Sequence, residues 1–234
     1  MLLALTWAAG SVDAISYFGL GHVFTAMMTG NTVLLGLALA QGEIQAALRS
    51  ILALSGFSTG VFVGALIVER ESQPLDWPAV VTKAIALEAS LLAVFAGIFF
   101  LTGGAGATNF LIFLLAVAMG IQSAAVRRLG VPGIATTYIT GTLTSLMVDL
   151  LGWLRSIAMP LPVPREAGTG RSASSIPWDQ RVGLLAGVVG LYCFGAFVGG
   201  VLEVQASPFA PLLPLAAVTL VVLNALMRNR ENGA

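Results

Sequence analysis

Apolar residues run along this chain in long unbroken stretches, without the two-residue alternation of a half-buried strand. The runs around Leu2, Ile51, Val80, Asn109, Val182 and Leu212 each approach the roughly 20 residues that a helix needs to cross about 30 Å of hydrocarbon. Backbone groups in lipid must be bonded within the spanning structure, and the absence of alternation argues against a barrel. The pattern predicts an all-α polytopic membrane protein. Two further segments, about 22–41 and 131–153, are apolar but interrupted by Thr-Gly pairs, and 154–180 is a polar stretch of Pro, Ser, Gly and Arg that reads as a solvated loop.

Composition agrees with that reading: of 234 residues, 57% are hydrophobic and 9% charged, too few charges to cover a soluble surface. Net charge is zero and no basic patch stands out, so nucleic acid is not an expected partner. The single cysteine, Cys193, cannot form an internal disulfide, and no Cys/His cluster has metal-ligand spacing; no metal and no cofactor are expected. No basic segment precedes the first apolar run, and Asp13 interrupts it, so it reads as a retained span rather than a cleaved leader.

The chain repeats itself. Ala8, Gly10 and Ala14 recur in the spacing of Ala118, Gly120 and Ala124, and Met28-Thr29-Gly30-Asn31-Thr32 has its counterpart in Ile139-Thr140-Gly141-Thr142-Leu143. Gly60-Val61-Phe62-Val63-Gly64 then returns as Gly195-Ala196-Phe197-Val198-Gly199. Three matches in order predict two membrane repeats, 1–108 and 109–234.

Basic residues choose the topology. If both Thr-Gly segments cross, there are eight spans, and Arg70, Lys83, Arg127 and Arg128 fall on the opposite face from the other basic residues. If both re-enter, six spans remain and every Lys and Arg except Arg49 shares one face with both termini, as the positive-inside rule prefers. The expectation is therefore six transmembrane helices plus two re-entrant segments, with both termini cytoplasmic. Three crossings per repeat invert one copy against the other, an arrangement found in many secondary transporters.

In that arrangement the two breaks meet near the midplane, with Asn31 and Thr142 as N-caps of the half-helices. Thr29, Gly30, Asn31, Thr32, Tyr138, Thr140, Gly141 and Thr142 are the candidate substrate-binding residues, and no Lys or Arg lies in either break. The alternative is that Thr-Gly pairs only let helices pack closely. Asp13 is the first coupling-ion candidate, because a carboxylate in lipid must face a partner or water; its alternative is a hydrogen-bonded carboxyl that fixes helix packing. Gln122, near the equivalent place in the second repeat, and Glu88, inside the fourth run, complete that set. Gly60, Gly64, Gly195 and Gly199 are helix-packing candidates, within the chain or in a homodimer. Asp149 and His22 read as interfacial and loop residues, and Arg127 and Arg128 as anchors of a helix end.

The motifs Ala9-Gly10-Ser11-Val12-Asp13-Ala14, Met28-Thr29-Gly30-Asn31-Thr32, Gly120-Ile121-Gln122-Ser123-Ala124 and Thr137-Tyr138-Ile139-Thr140-Gly141-Thr142 resemble those of the YoaK-like bacterial membrane proteins over nearly the whole chain. The resemblance implies a multi-pass protein of the bacterial inner membrane; the family is a domain of unknown function and implies no substrate. The expected function is secondary transport or export of a small polar or anionic solute by alternating access, with proton coupling through Asp13. A passive channel and a non-transporting scaffold or sensor are the alternatives. An enzyme is not expected, for lack of a nucleophile–base pair, a phosphate-binding loop or a metal cluster.

Overall fold

Long apolar runs satisfy their backbone internally, and helices are the regular structure of the residues that a computed structural model describes, 1–69, 77–103, 106–129, 139–158 and 178–231. The helices are α1 (Leu2–Gly19), α2 (Met28–Gln41), α3 (Ile44–Val68), α4 (Ala79–Thr102), α5 (Thr108–Arg128), α6 (Ile139–Ala158), α7 (Trp178–Ala206) and α8 (Leu212–Glu231), with a 3-10 turn at Ser207–Phe209. No strand occurs among the described residues. The expected loop 154–180 and Tyr138 lie largely or wholly outside them.

Local chemistry sets the ends. Gly42 closes α2 in the left-handed conformation at φ 73° and passes the chain into α3 within two residues. Gly103 ends α4 at φ 59°, and Pro78, unable to donate, precedes its first turn. By length and composition four helices can cross a membrane: Ile44–Val68, Ala79–Thr102, Thr108–Arg128 and Gln180–Phe209. The six crossings read from the sequence also include α1 and α8. The first has 18 residues and carries Asp13, and the apolar part of the other is the shorter Leu212–Arg228.

The closest packing joins the first helix of one half to the third helix of the other. A Cβ on Gly60 would strike the carbonyl of Val117, and one on Gly120 the carbonyl of Phe57, so α3 and α5 touch backbone to backbone. In the same manner a Cβ on Gly195 would strike the carbonyl of Trp7, and one on Gly10 the carbonyl of Tyr192, which brings α1 against α7. Gly64 faces Ile121 and Ala124, and Gly199 faces Ser11. All four glycines of the two GxxxG pairs thus lie at contacts within the chain.

The same contacts give directions. Gly187 meets Leu3 near the start of α1 and Gly19 meets Glu203 near its end, so α1 and α7 run parallel. Gly56 meets Phe113 and Gly64 meets Ala124, so α3 and α5 run parallel as well. Arg49, in the second turn of α3, donates to the carbonyl of Gly21 just past α1, while Arg128 at the end of α5 donates to the carbonyl of Val68 at the end of α3. One end of the bundle therefore gathers the end of α1 and the start of α3, and the opposite end gathers the termini of α3 and α5. A core of Leu5, Ile85, Phe95, Phe99, Leu115 and Met119 fills the space between α1, α4 and α5. Outside it, Phe62 and Phe197 are each 66% exposed and Leu101 83%, an apolar surface suited to lipid tails rather than water.

Candidate functional site

Between α1 and α2 the chain abandons helical structure over residues 20–27, with Gly21 and His22 at φ 84° and 63°. This segment doubles back along α1. Asp13, 3% exposed in the middle of α1, receives the backbone N–H of Thr25 (2.9 Å) and of Ala26 (2.7 Å) on Oδ1. Its other oxygen, Oδ2, accepts a hydrogen bond from the Tyr192 hydroxyl of α7. Tyr17 stacks on Phe24 and meets the His22 ring edge-on, closing the same turn from the side.

The first turn of α2 holds the segment from below. Asn31, fully buried, accepts from the Phe24 N–H at 3.0 Å and donates to the Phe24 carbonyl at 2.5 Å and to the Met28 sulfur at 3.7 Å. One carboxylate and one amide thus bind the backbone of Phe24, Thr25 and Ala26, groups that would otherwise be orphaned away from water. From there α2 runs back to the end of the bundle where α1 finished: Gln41 and Arg49 line one cavity with Gly21 and His22. Its 14 residues reach about 21 Å, well short of a hydrocarbon core of about 30 Å.

The break lies upstream of Gly30, not at it. Gly30 is the third residue of α2, and Asn31 reaches backwards across the break instead of capping the helix, because its amide can satisfy both the donor and the acceptor of Phe24. Thr29 and Thr32 are exposed, and the Thr32 hydroxyl returns to the Met28 carbonyl at 3.0 Å. In the second half Thr140 is exposed, Gly141 half-buried and Thr142 buried in the first turns of α6, and Tyr138 lies outside the described residues. Among the described residues, α2 packs chiefly on α3 and α6 chiefly on α7.

Gln122, fully buried on α5, donates to the Leu5 carbonyl of α1 at 3.2 Å and so pins the crossing of the two halves. Glu88 is wholly enclosed in α4, and neither of its carboxyl oxygens meets a hydrogen-bond donor among the described residues. Asp149 is buried and ion-paired with Arg181 at 2.7 Å, which ties α6 to the start of α7. Among the described residues no group of His, Cys, Asp and Glu is arranged to hold a metal.

Tyr192 is the partner that inspection of the sequence misses. Superposing Gly195 on Gly60 sets Tyr192 opposite Phe57, and superposing Gly120 on Gly10 sets Ser123 opposite Asp13. The acid and the hydroxyl that meet thus each lack a counterpart at the matching position of the other half of the sequence.

A family model described as a protein of unknown function, DUF1275, matches residues 1–225. The chain belongs to the DUF1275 family. It is 38% identical over 227 residues to the UPF0700 transmembrane protein YoaK of Bacillus subtilis (strain 168), covering 97% of this chain and 92% of that relative. No solved structure matches. The matched span takes in every helix of this DUF1275 protein except the last residues of α8, and with it the break, Asp13, Asn31 and Tyr192. Together with the long apolar helices, the likeness to a transmembrane protein makes this a multi-pass membrane protein.

Proposed function

We propose that this protein is a secondary transporter that moves a small polar or anionic solute by alternating access between two inverted halves, with proton coupling through Asp13. The observation that carries the reading is the unwound 20–27 segment, seated at the level of mid-α1 on a buried carboxylate and followed by a helix too short to cross. Irregular backbone at membrane depth occurs where it is buried in protein or lines a cavity, and broken helices of this kind form the solute sites of many transporters.

Two further observations support the inverted arrangement. Helices α1 and α5 occupy equivalent places in the repeat, yet α1 parallels α7 while α5 parallels α3, with α3 starting where α1 ends. Lys83, Arg127, Arg128, Arg181 and Arg228 sit at helix ends remote from Arg49, which fits six crossings, two re-entrant segments and cytoplasmic termini in a bacterial inner membrane. No chemistry on the solute is assigned. The saturation of Asp13 by three donors favours, as a second reading, a scaffold in which the carboxylate only latches the break.

Proteoliposomes holding a trapped pH indicator test the first reading. Pools of small polar and anionic solutes applied as gradients are expected to drive proton movement with the wild-type chain, and Asp13→Asn to abolish the proton signal while leaving radiolabelled solute exchange. Solute flux indifferent to any ion gradient would convert the reading to a channel, and no flux with a folded protein would leave the scaffold.

A further inference from the structure

A second polar feature lies at the mouth of the hairpin, at the end of the bundle where α1 finishes. A cavity of about 310 Å³ opens between the 20–27 turn, the latter half of α2 and the first turns of α3, with Gly21, His22, Gln41, Glu43, Arg49 and Ser50 among its walls. Ser50 is 2% exposed and Arg49 half-buried. The Arg49 guanidinium lies over Gly21, where a Cβ would collide with it, and a positive φ at Gly21 makes that position doubly unsuited to a side chain.

Arg49 is poorly served by the protein. Its one hydrogen bond runs from Nη1 to the Gly21 carbonyl at 3.4 Å, and its Nε is buried with no hydrogen-bond partner among the described residues. Glu43, the residue just before α3, lines the same cavity, and no ion pair joins it to Arg49 among the described residues. A guanidinium has five donors in a planar fork matched to carboxylate and phosphate oxygens, and a partly desolvated cation without a counter-charge is costly. The other described basic residues at helix ends lie at the far end of the bundle, so Arg49 dominates the local potential.

From this geometry we infer that the cavity binds an anionic oxygen group, a phosphate or carboxylate, on the Arg49 guanidinium, with Ser50 and Gln41 supplying further polar contacts and Glu43 at the rim limiting affinity. The apolar wall of Leu34 and Leu37, the latter 53% exposed on the outer face of α2, gives the ligand an apolar boundary on one side. The same chemistry is offered by a free oxyanion in the surrounding water and by the headgroup of an anionic phospholipid. The site is separate from Asp13 and stands without proton coupling or transport.

The test is a thermal-melt titration of the purified full chain in neutral detergent at constant ionic strength. One arm adds inorganic phosphate against chloride, and the other adds short-chain phosphatidylglycerol against phosphatidylcholine of the same chain length. A saturable rise in Tm is expected in at least one arm, and Arg49→Gln weakens that binding by on the order of tenfold or more, the worth of one charged hydrogen bond. A response to phosphate marks a soluble oxyanion as the occupant, and a response to phosphatidylglycerol alone marks a lipid headgroup. If R49Q does not fold, R49K and E43Q decide: weaker binding in the first and tighter binding in the second support the site. A saturable rise in neither arm, or a response unchanged by Arg49 and Glu43 substitutions, overturns it.

Discussion

Removing the Asp13 side chain takes away the acceptor for three donors at once. The backbone amides of Thr25 and Ala26 are fixed by the turn and cannot rotate to new partners, whereas the Tyr192 hydroxyl can turn about its ring bond. A buried donor left unsatisfied costs about 1–3 kcal/mol, so the two amides alone put Asp13→Ala at about 2–6 kcal/mol. Asp13→Asn keeps an oxygen where the amides need one and sets its amino group against the tyrosine oxygen, which can accept, so it is expected to cost about 1–2 kcal/mol. Tyr192→Phe removes a single donor and is expected to cost about 1 kcal/mol. Because tyrosine acts through the carboxylate, the double variant D13A/Y192F should lie close to D13A alone, a coupling that a double-mutant cycle reads directly. The assay is equilibrium unfolding of the purified protein in detergent, followed by helical circular dichroism. Equal losses for D13A and D13N, or simple addition of the D13A and Y192F losses, would refute the latch.

The remaining predictions concern packing, topology and the break. Gly60→Ala and Gly195→Ala drive a methyl into backbone that cannot yield and are expected to cost about 1–3 kcal/mol each, whereas Gly97→Ala in α4, with nothing within 4 Å, stays neutral or stabilises slightly; melting temperatures of the three variants check the contrast. In a Cys193-free background, single cysteines at Glu43 and Arg128 should label from opposite sides of the membrane in intact cells, and labelling from the same side would remove the opposed ends on which the inverted arrangement rests. Asn31→Leu strands the Phe24 N–H and carbonyl together, for an expected loss of about 2–4 kcal/mol, while Asn31→Gln, whose amide sits one carbon further out, recovers part of it; the same unfolding assay reads both.

Length and hydropathy made the helices legible because lipid leaves the backbone only one economical way to bond; Gly60, Gly64, Gly195 and Gly199 stood out as packing candidates, whereas Gly10 and Gly120, which also meet backbone, stood out only as repeat markers. Which glycine faces which backbone was not legible, since a GxxxG pair serves a contact within a chain as well as one between chains. Asp13 stood out by the cost of a carboxylate in a span, but its donors did not: two are main-chain amides, invisible to any residue pattern, and the third, Tyr192, lies 179 positions away. Placing the break at Gly30 followed the usual link between glycine and helix ends. The chain breaks earlier because the left-handed pair Gly21-His22 turns it, and Asn31 then binds across the gap.

The crossed pairing of α1 with α7 and of α3 with α5 also sets an order of assembly. As the chain is made, α1 emerges with an acid at its centre and a glycine face meant for a helix that starts about 160 residues further on. On the six-crossing arrangement proposed above, an aspartate at mid-helix would oppose insertion of α1 by about 2.5–3.5 kcal/mol on the biological scale, and α1 would be a weak guest in the bilayer until its later neighbour settles it. Truncation before α7 would therefore strand not the end of the molecule but its beginning, and cellular quality control would meet the fault at the first helix rather than at the missing one.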